Sequence, residues 1–123
     1  MAKIIISLGS NIRQEYHFEK AKSLLVSVFE DMVFTNSIWT EPVGMVCCDA
    51  LFLNALGCAS TDWSVDMVDK ALKQVERQCG RKSGEKEQGI VRMDVDILLY
   101  DDVRYHEKDW QRNYVSQLLK ELD

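Results

Sequence analysis

Residues 92–100 read Arg-Met-Asp-Val-Asp-Ile-Leu-Leu-Tyr, and this stretch decides how the chain folds. It has the composition of a buried β-strand that two carboxylates interrupt. Because side chains alternate across a strand, Asp94 and Asp96 share one face. The apolar residues share the other face: Val95, Ile97 and Leu99. Two like charges about 7 Å apart at their Cα atoms repel unless a cation lies between them. The pattern therefore predicts a strand with one core face and one cation-binding face.

The segments before and after this strand alternate between strand and helix patterns. β-branched runs bounded by turn residues predict strands, and apolar residues at three- and four-residue spacing predict helices. The surest helix begins at Thr61 or Ser64, either of which can cap it, and ends at Cys79, because Gly80 is a stop signal. The remaining predictions are strands at 3–8, 32–39 and 51–59, a helix at 16–29, loops at 40–49 and 81–89, and a last helix at about 110–122.

This order of elements predicts an α+β fold of the ferredoxin-like type. The order βαββαβ gives an antiparallel sheet with two helices on one face, and an added helix follows at the C-terminus. A length of 123 residues with 46% hydrophobic content fits one domain spanning 1–123. Function has to be sought on the other sheet face and its loops, because a fold alone names no activity.

The composition restricts the partners. A formal net charge of −5 argues against a general nucleic-acid or membrane-surface binder. The four cysteines form no Cys-x-x-Cys pair and are expected to be reduced thiols in a cytoplasmic protein. The opening run is too short and too polar for a signal peptide or a membrane span. We expect a small-molecule partner, and a monomer or else a dimer.

Basic residues gather just before the two aspartates, although the chain as a whole is acidic. They are Arg81, Lys82, Lys86 and Arg92. Hard carboxylate ligands favour Mg²⁺ that carries phosphate, and phosphoryl transfer also needs Arg or Lys to neutralise the developing charge. The combination indicates phosphate chemistry. Lys82 and Lys86 are equally compatible with an ordinary solvated charge run.

Four motifs in order resemble 6-hydroxymethyl-7,8-dihydropterin pyrophosphokinase, a folate-pathway family. The aspartate strand preceded by Gly80-Arg81 carries the resemblance. Further matches are Leu8-Gly9-Ser10-Asn11, Thr40-Glu41-Pro42-Val43-Gly44 and Phe52-Leu53-Asn54. The resemblance also gives Asn54, which is unusual in an apolar strand, a partner in the pterin ring.

The resemblance implies a role for each matching residue. It implies Asp94 and Asp96 as ligands of two Mg²⁺ ions and, with Arg81 and Arg92, as the catalytic set. It implies a pterin site formed by Thr40, Pro42, Val43, Phe52, Asn54 and Tyr114. It implies ATP contacts from Gln74, Glu76, Arg81, Arg92, Ile97, His106 and Arg112.

The family pattern is not matched everywhere. The tryptophan and proline that usually precede the aspartate pair are absent, and equal spacing from Gly80 puts Val91 where the family has arginine. Arg92 then lies one residue late and faces the other way unless a bulge restores it. The stretch between Tyr100 and His106 and the C-terminal tail are also short.

The expected activity is transfer of diphosphate from ATP to the hydroxymethyl group of a reduced pterin, with release of AMP, as the resemblance implies. Two loops, at about 44–49 and 82–89, are expected to close over the site. Two other possibilities stay open. One is a non-catalytic ferredoxin-like module that binds a pterin or a nucleotide, and the other is an interaction domain with an acidic surface.

Overall fold

The computed structural model describes residues 1–42 and 50–122. In this part of the chain, six strands form one antiparallel sheet. The strands are β1 (Ala2–Ser10), β2 (Val33–Phe34), β3 (Ile38–Thr40), β4 (Phe52–Thr61), β5 (Asp94–Tyr100) and β6 (Val103–Arg104). The helices are α1 (Gln14–Val28), α2 (Val65–Gln78), α3 (Glu107–Trp110) and α4 (Asn113–Leu119), with 3₁₀ turns at Lys86–Gln88 and Lys120–Leu122.

The strand order is β2-β4-β1-β5-β6, and β3 also pairs with β4. β1 is the central strand, with β4 and β5 on its two sides, and their apolar runs favour these interior positions. This arrangement confirms the predicted α+β, ferredoxin-like fold. None of the helices in the described ranges is long and apolar enough to cross a membrane.

The sheet has a buried cluster on each face. The larger one joins α1 and α2 to the sheet through residues such as Phe18, Leu25, Leu72 and Val95. The smaller one contains Ile5, Leu56, Leu98, Val115 and Leu118. The C-terminal segment, residues 105–122, therefore covers part of the second face. The second face is therefore only partly open, and the open part is at the Asp94 end of β5.

The predicted strand at 32–39 consists of two short strands with a bulge between them. Phe34 pairs with Gly57 and Ile38 pairs with Asn54, so three residues of one side oppose two residues of β4. The Thr35 hydroxyl fills the gap by accepting a 3.0 Å hydrogen bond from the Leu56 backbone N–H. The bulge aligns β3 so that Thr40 pairs with Phe52.

A second irregularity lies in β5. The pairing with β1 shifts between Ile5 and Ile6, which leaves Leu98 as an extra residue. As a result Leu99 packs with Leu98 against the C-terminal cluster, so the prediction that Leu99 shares a face with Val95 was wrong. The Leu98 carbonyl accepts hydrogen bonds from Tyr105 N at 2.9 Å and Trp110 Nε1 at 3.2 Å, which fixes the C-terminal segment to the sheet.

The single C-terminal helix predicted at about 110–122 was also wrong. The chain forms α3 and α4 instead, and the helical run is broken at Arg112, which is extended with φ −75° and ψ 137°. The predicted helix at 16–29 begins two residues earlier than expected. α2 agrees closely with its prediction, with the Ser64 hydroxyl accepting from Met67 N.

The end of α2 determines where Arg81 lies. Gly80 has φ +95°, and its N–H donates to the Arg77 carbonyl while the Arg81 N–H donates to the Glu76 carbonyl. These two bonds form a Schellman motif, which ends a helix and turns the chain sharply. The turn brings the Arg81 side chain back toward the start of β5.

We predict that Gly80→Ala lowers the free energy of unfolding by about 1–2 kcal/mol, because an L side chain is strained at this φ. Gly80→Asn should cost less, because asparagine tolerates the left-handed region better. Urea unfolding of the three proteins measures the difference. Equal stability of the alanine variant and the wild type would contradict the proposed requirement for glycine.

Candidate active site

A polar cavity of about 410 Å³ opens beside the Asp94 end of β5. It lies on the sheet face that the C-terminal segment only partly covers. Its described lining comprises Ser7, Leu8, Gly9, Phe52, Asn54, Lys73, Arg81, Lys86, Asp94, Asp96, His106, Asp109, Arg112 and Tyr114. Four separate parts of the chain, namely β1, β4, the α2–β5 region and the C-terminal segment, thus meet at one place.

Three carboxylates converge at one end of this cavity. Oxygen atoms of Glu76, Asp94 and Asp96 all lie within 4.8 Å of one another. Strand alternation accounts for the two aspartates, and the third carboxylate comes from α2. A group of oxygen ligands this close is chemically suited to a hard divalent cation such as Mg²⁺.

Glu76 is held in this group by the backbone of β5. Its carboxylate accepts a 2.7 Å hydrogen bond from the Val95 N–H, on the side of β5 away from β1. The Arg81 guanidinium lies 3.1 Å from Glu76 and donates to Asp94 at 2.9 Å. Arg81 therefore joins the helix carboxylate to the first strand carboxylate.

Burial and neighbouring charge shift the three carboxyl groups differently. Burial raises the pKa of Glu76 to about 7, against the opposing effects of the Val95 hydrogen bond and of Lys73 and Arg81. Burial and the nearby Asp94 charge raise the pKa of Asp96. Burial also acts to raise the pKa of Asp94, but the Arg81 hydrogen bond and charge outweigh it and lower that pKa. Asp94 is thus the carboxyl that is most firmly ionised.

The opposite wall of the cavity is formed by two aromatic side chains and one amide side chain. Phe52 and Asn54 lie on the same face of β4, and Tyr114 comes from α4. The Asn54 amide nitrogen donates to Thr40 Oγ1 at 2.8 Å, and its amide oxygen is directed toward Gly9. A side chain at Gly9 would occupy the space in front of this oxygen, 3.5 Å away. Such a wall suits a flat heterocycle with hydrogen-bonding edges.

The C-terminal segment contributes further charged groups. His106 Nε2 lies 3.7 Å from Asp96 Oδ1, and Arg112 pairs with Asp109 at 3.5 Å. Arg112 also lines a smaller adjacent cavity of about 110 Å³ together with Thr40 and Phe52. His106 and Arg112 were both predicted as site residues, and the structure brings both to the cavity.

Other predicted site residues lie elsewhere. Gln74 is exposed and bound to Arg77 at 2.8 Å. Ile97 is buried in the core on the helix side of the sheet, as strand alternation dictates. Pro42 is half-buried outside both cavities, and Val43 is outside the described residues. Their predicted contacts with ligands stay predictions.

Arg92 is also absent from the described lining of the main cavity. Its Nε donates to Glu85 at 3.2 Å, and its stem lies against Gly80. Val91 is buried and faces the smaller cavity, with its backbone fixed by two hydrogen bonds to Asn11. Among the described residues, then, the ion-pair partner of Arg92 is Glu85, while Val91 lines the smaller cavity together with Asp94.

Sequence reasoning missed two charged residues that line the cavity. Lys73 lies 3.5 Å from Asp96 and 3.6 Å from Glu76, and Asp109 pairs with Arg112. Asp109 lies three residues before Arg112, but Arg112 is extended and lies past the end of α3. Lys73 stands three residues before Glu76 within α2, a spacing that places side chains on one helix face. That spacing was a readable signal, and it favours Lys73 over Gln74 as a residue beside Glu76.

Comparison with known protein families gives a match over residues 5–123 to the model of the 7,8-dihydro-6-hydroxymethylpterin-pyrophosphokinase family. The chain belongs to this family. As a pyrophosphokinase it is a transferase, and pterin pyrophosphokinases act in folate biosynthesis. The family generally uses ATP and Mg²⁺, which agrees with the cluster of carboxylates formed by Glu76, Asp94 and Asp96. A search of curated proteins found no match to the chain.

The raised pKa of Glu76 leads to a prediction for the metal-free pyrophosphokinase. The folded protein holds this proton up to pH about 7, whereas an ordinary glutamate loses it near 4.5. Between these values the folded state binds more protons than the unfolded chain, so stability falls as pH rises. The free energy of unfolding falls by about 3 kcal/mol at most over this pH range because of Glu76. Glu76→Gln removes this fall, because glutamine has no proton to lose.

Urea unfolding at pH 5 and pH 8, with a chelator present, measures this effect. We expect Glu76→Gln to gain stability relative to the wild type as pH rises. Glu19→Gln makes the same chemical change on the exposed side of α1 and serves as the control. A Glu76→Gln difference that is the same at both pH values would contradict the prediction.

Proposed function

We propose that the protein transfers the β,γ-diphosphate of ATP to 6-hydroxymethyl-7,8-dihydropterin. The pterin hydroxyl oxygen attacks the β-phosphorus and loses its proton. The bond from that phosphorus to the oxygen bridging to the α-phosphate breaks, and AMP leaves with the bridging oxygen. The observation that supports this proposal is that a single cavity has a cluster of carboxylates and several cations at one end and an aromatic and amide wall at the other.

Asp94, Asp96 and Glu76 fit a divalent cation by ligand type and mutual distance. We propose that Asp94 and Asp96 hold two Mg²⁺ ions in the working enzyme. The chemistry that Mg²⁺ would supply there is positive charge that lowers the negative charge met by the attacking oxygen. Arg81, already bound to Asp94, keeps that carboxylate ionised and oriented for this purpose.

The cations around the cavity provide the phosphate contacts of this proposal. Three further cations line it, namely Lys86, His106 and Arg112. In the described part of the chain, none of the three has an ion-pair contact as short as the 2.9 Å between Arg81 and Asp94. Catalysis would then rest on positioning and electrostatics, since no covalent enzyme intermediate is needed. Arg92 would join these cations only if it left Glu85.

Phe52, Asn54 and Tyr114 form the pterin side of the proposal. The two rings would cover the faces of the heterocycle, and Asn54 would bond to its edge. Thr40 supports this by accepting the Asn54 N–H, which orients the amide. The single domain, the monomeric state and the cytoplasmic location belong to the same proposal.

The first test removes the charge of either aspartate. We expect Asp94→Asn and Asp96→Asn to remain folded and to lose about 100-fold or more of AMP formation, because the metal ligands are impaired. The assay supplies ATP, Mg²⁺ and hydroxymethyldihydropterin and separates AMP from ADP. Asp102→Asn, an exposed aspartate in the turn after β5, is the matched control.

Retained turnover in either aspartate variant would contradict the metal assignment. A wild-type protein that binds a non-hydrolysable ATP analogue with Mg²⁺ but forms no AMP would instead be the non-catalytic binding module.

The second test addresses the pterin wall. We expect Phe52→Leu to raise the KM for the pterin about two- to tenfold, because it removes a stacking contact, while the KM for ATP stays unchanged. Phe34→Leu, on β2 and outside the cavity, is the matched control. An equal rise in both KM values would show that Phe52 shapes the whole site and does not form the pterin subsite.

A further inference from the structure

Lys73 lies between two of the three clustered carboxylates, those of Glu76 and Asp96. Its ammonium nitrogen lies 3.6 Å from Glu76 Oε2 and 3.5 Å from Asp96 Oδ1. Partial burial acts to lower the pKa of Lys73, but the charges of these and neighbouring carboxylates together outweigh it and raise that pKa. The positive charge thus lies at the same carboxylates that a divalent cation would use.

The two cations of this group are held in different ways. Arg81 makes a 2.9 Å hydrogen bond to Asp94 and lies 3.1 Å from Glu76. Both Lys73 distances exceed the roughly 2.7–2.9 Å of a charge-assisted hydrogen bond. The Lys73 side chain is also 39% exposed, against 28% for Arg81. Lys73 is therefore the cation that can move away at the smaller cost.

We propose that Lys73 is an exchangeable counter-cation of this site. In the metal-free protein it lies against the carboxyl groups of Asp96 and Glu76, and on Mg²⁺ binding it leaves them. It then binds phosphate oxygens of a polyphosphate in the cavity that it already lines. Only this last step rests on the proposed function.

The chemistry of lysine suits such an exchange. The ammonium is a compact charge with three donors on a flexible four-carbon stem, so it can turn from one anion to another. Once a divalent cation is bound, the ammonium is repelled and needs a new anion nearby. Lys73 should therefore oppose binding of Mg²⁺ alone and favour binding of Mg²⁺ together with a polyphosphate, which couples the two ligands.

The experiment compares the wild type with Lys73→Met by calorimetry. With Mg²⁺ alone we expect the variant to bind about two- to fivefold more tightly, because a competing charge is gone. With a non-hydrolysable ATP analogue and saturating Mg²⁺, we expect it to bind the analogue about tenfold more weakly, because a charged phosphate contact is lost. A lysine that only supports the fold would not produce these opposite changes.

Two variants serve as controls. Lys70→Met makes the same change one turn earlier on the exposed side of α2 and should match the wild type in both titrations. Lys73→Arg keeps the charge and should weaken analogue binding less than Lys73→Met does. Urea unfolding checks each protein, and Lys73→Gln replaces the methionine variant if that one does not unfold cooperatively.

The outcomes separate the exchange from the enzymatic proposal. Unchanged or weaker Mg²⁺ binding in the uncharged variant would overturn the exchange, whatever the activity. Tighter Mg²⁺ binding with unchanged analogue binding would overturn the phosphate step. A wild type that forms no AMP would overturn the diphosphate transfer, while the titration with Mg²⁺ alone would still decide whether Lys73 competes with the metal ion.

Discussion

The hydrogen bond from the Val95 N–H to the Glu76 carboxylate is the interaction on which the site depends. β6 pairs only with Leu99 and Tyr100, so this N–H lies beyond the reach of that strand. A glutamate from α2 takes the place of a strand carbonyl and brings a third carboxyl group to Asp94 and Asp96. Because buried charge is costly unless it is paired, the same place must also hold cations. A backbone requirement at a sheet edge thus generates the charged end of the cavity.

The other end of the cavity depends on two bulges in the sheet. The Thr35 bulge shifts β3 by one residue, which brings Thr40 to the Asn54 amide. The Leu98 bulge turns a carbonyl toward Trp110 and so fixes the segment that carries Tyr114. Bulges re-aim side chains at the cost of regular pairing. The aromatic and amide wall is therefore a product of local irregularity and not of the regular sheet.

These origins explain what could be predicted from the sequence. Alternation placed Asp94 and Asp96 on one face correctly, and the cap at Ser64 and the glycine stop located α2. The bulge that moves Leu99 has no signal in composition, because a leucine suits either face. The position of Arg92 depends on Glu85, which competes for it within a turn that no periodicity describes. The sequence therefore predicts the residues that follow the regular side-chain periodicity of a strand or helix. It does not predict the residues whose position depends on a bulge or on pairing with another side chain.

The balance of charge in the cavity suggests what it selects. Among its described lining residues, four Lys and Arg side chains face three Asp side chains. An isolated polyphosphate would meet the carboxylates, and an isolated metal ion would meet the ammonium and guanidinium groups, so each alone is partly repelled. A metal ion bound to a polyphosphate presents both signs of charge and satisfies both sets of side chains. We propose on this argument that the mixture of charges in the cavity would discriminate against a free polyphosphate, without any need for a strongly positive field.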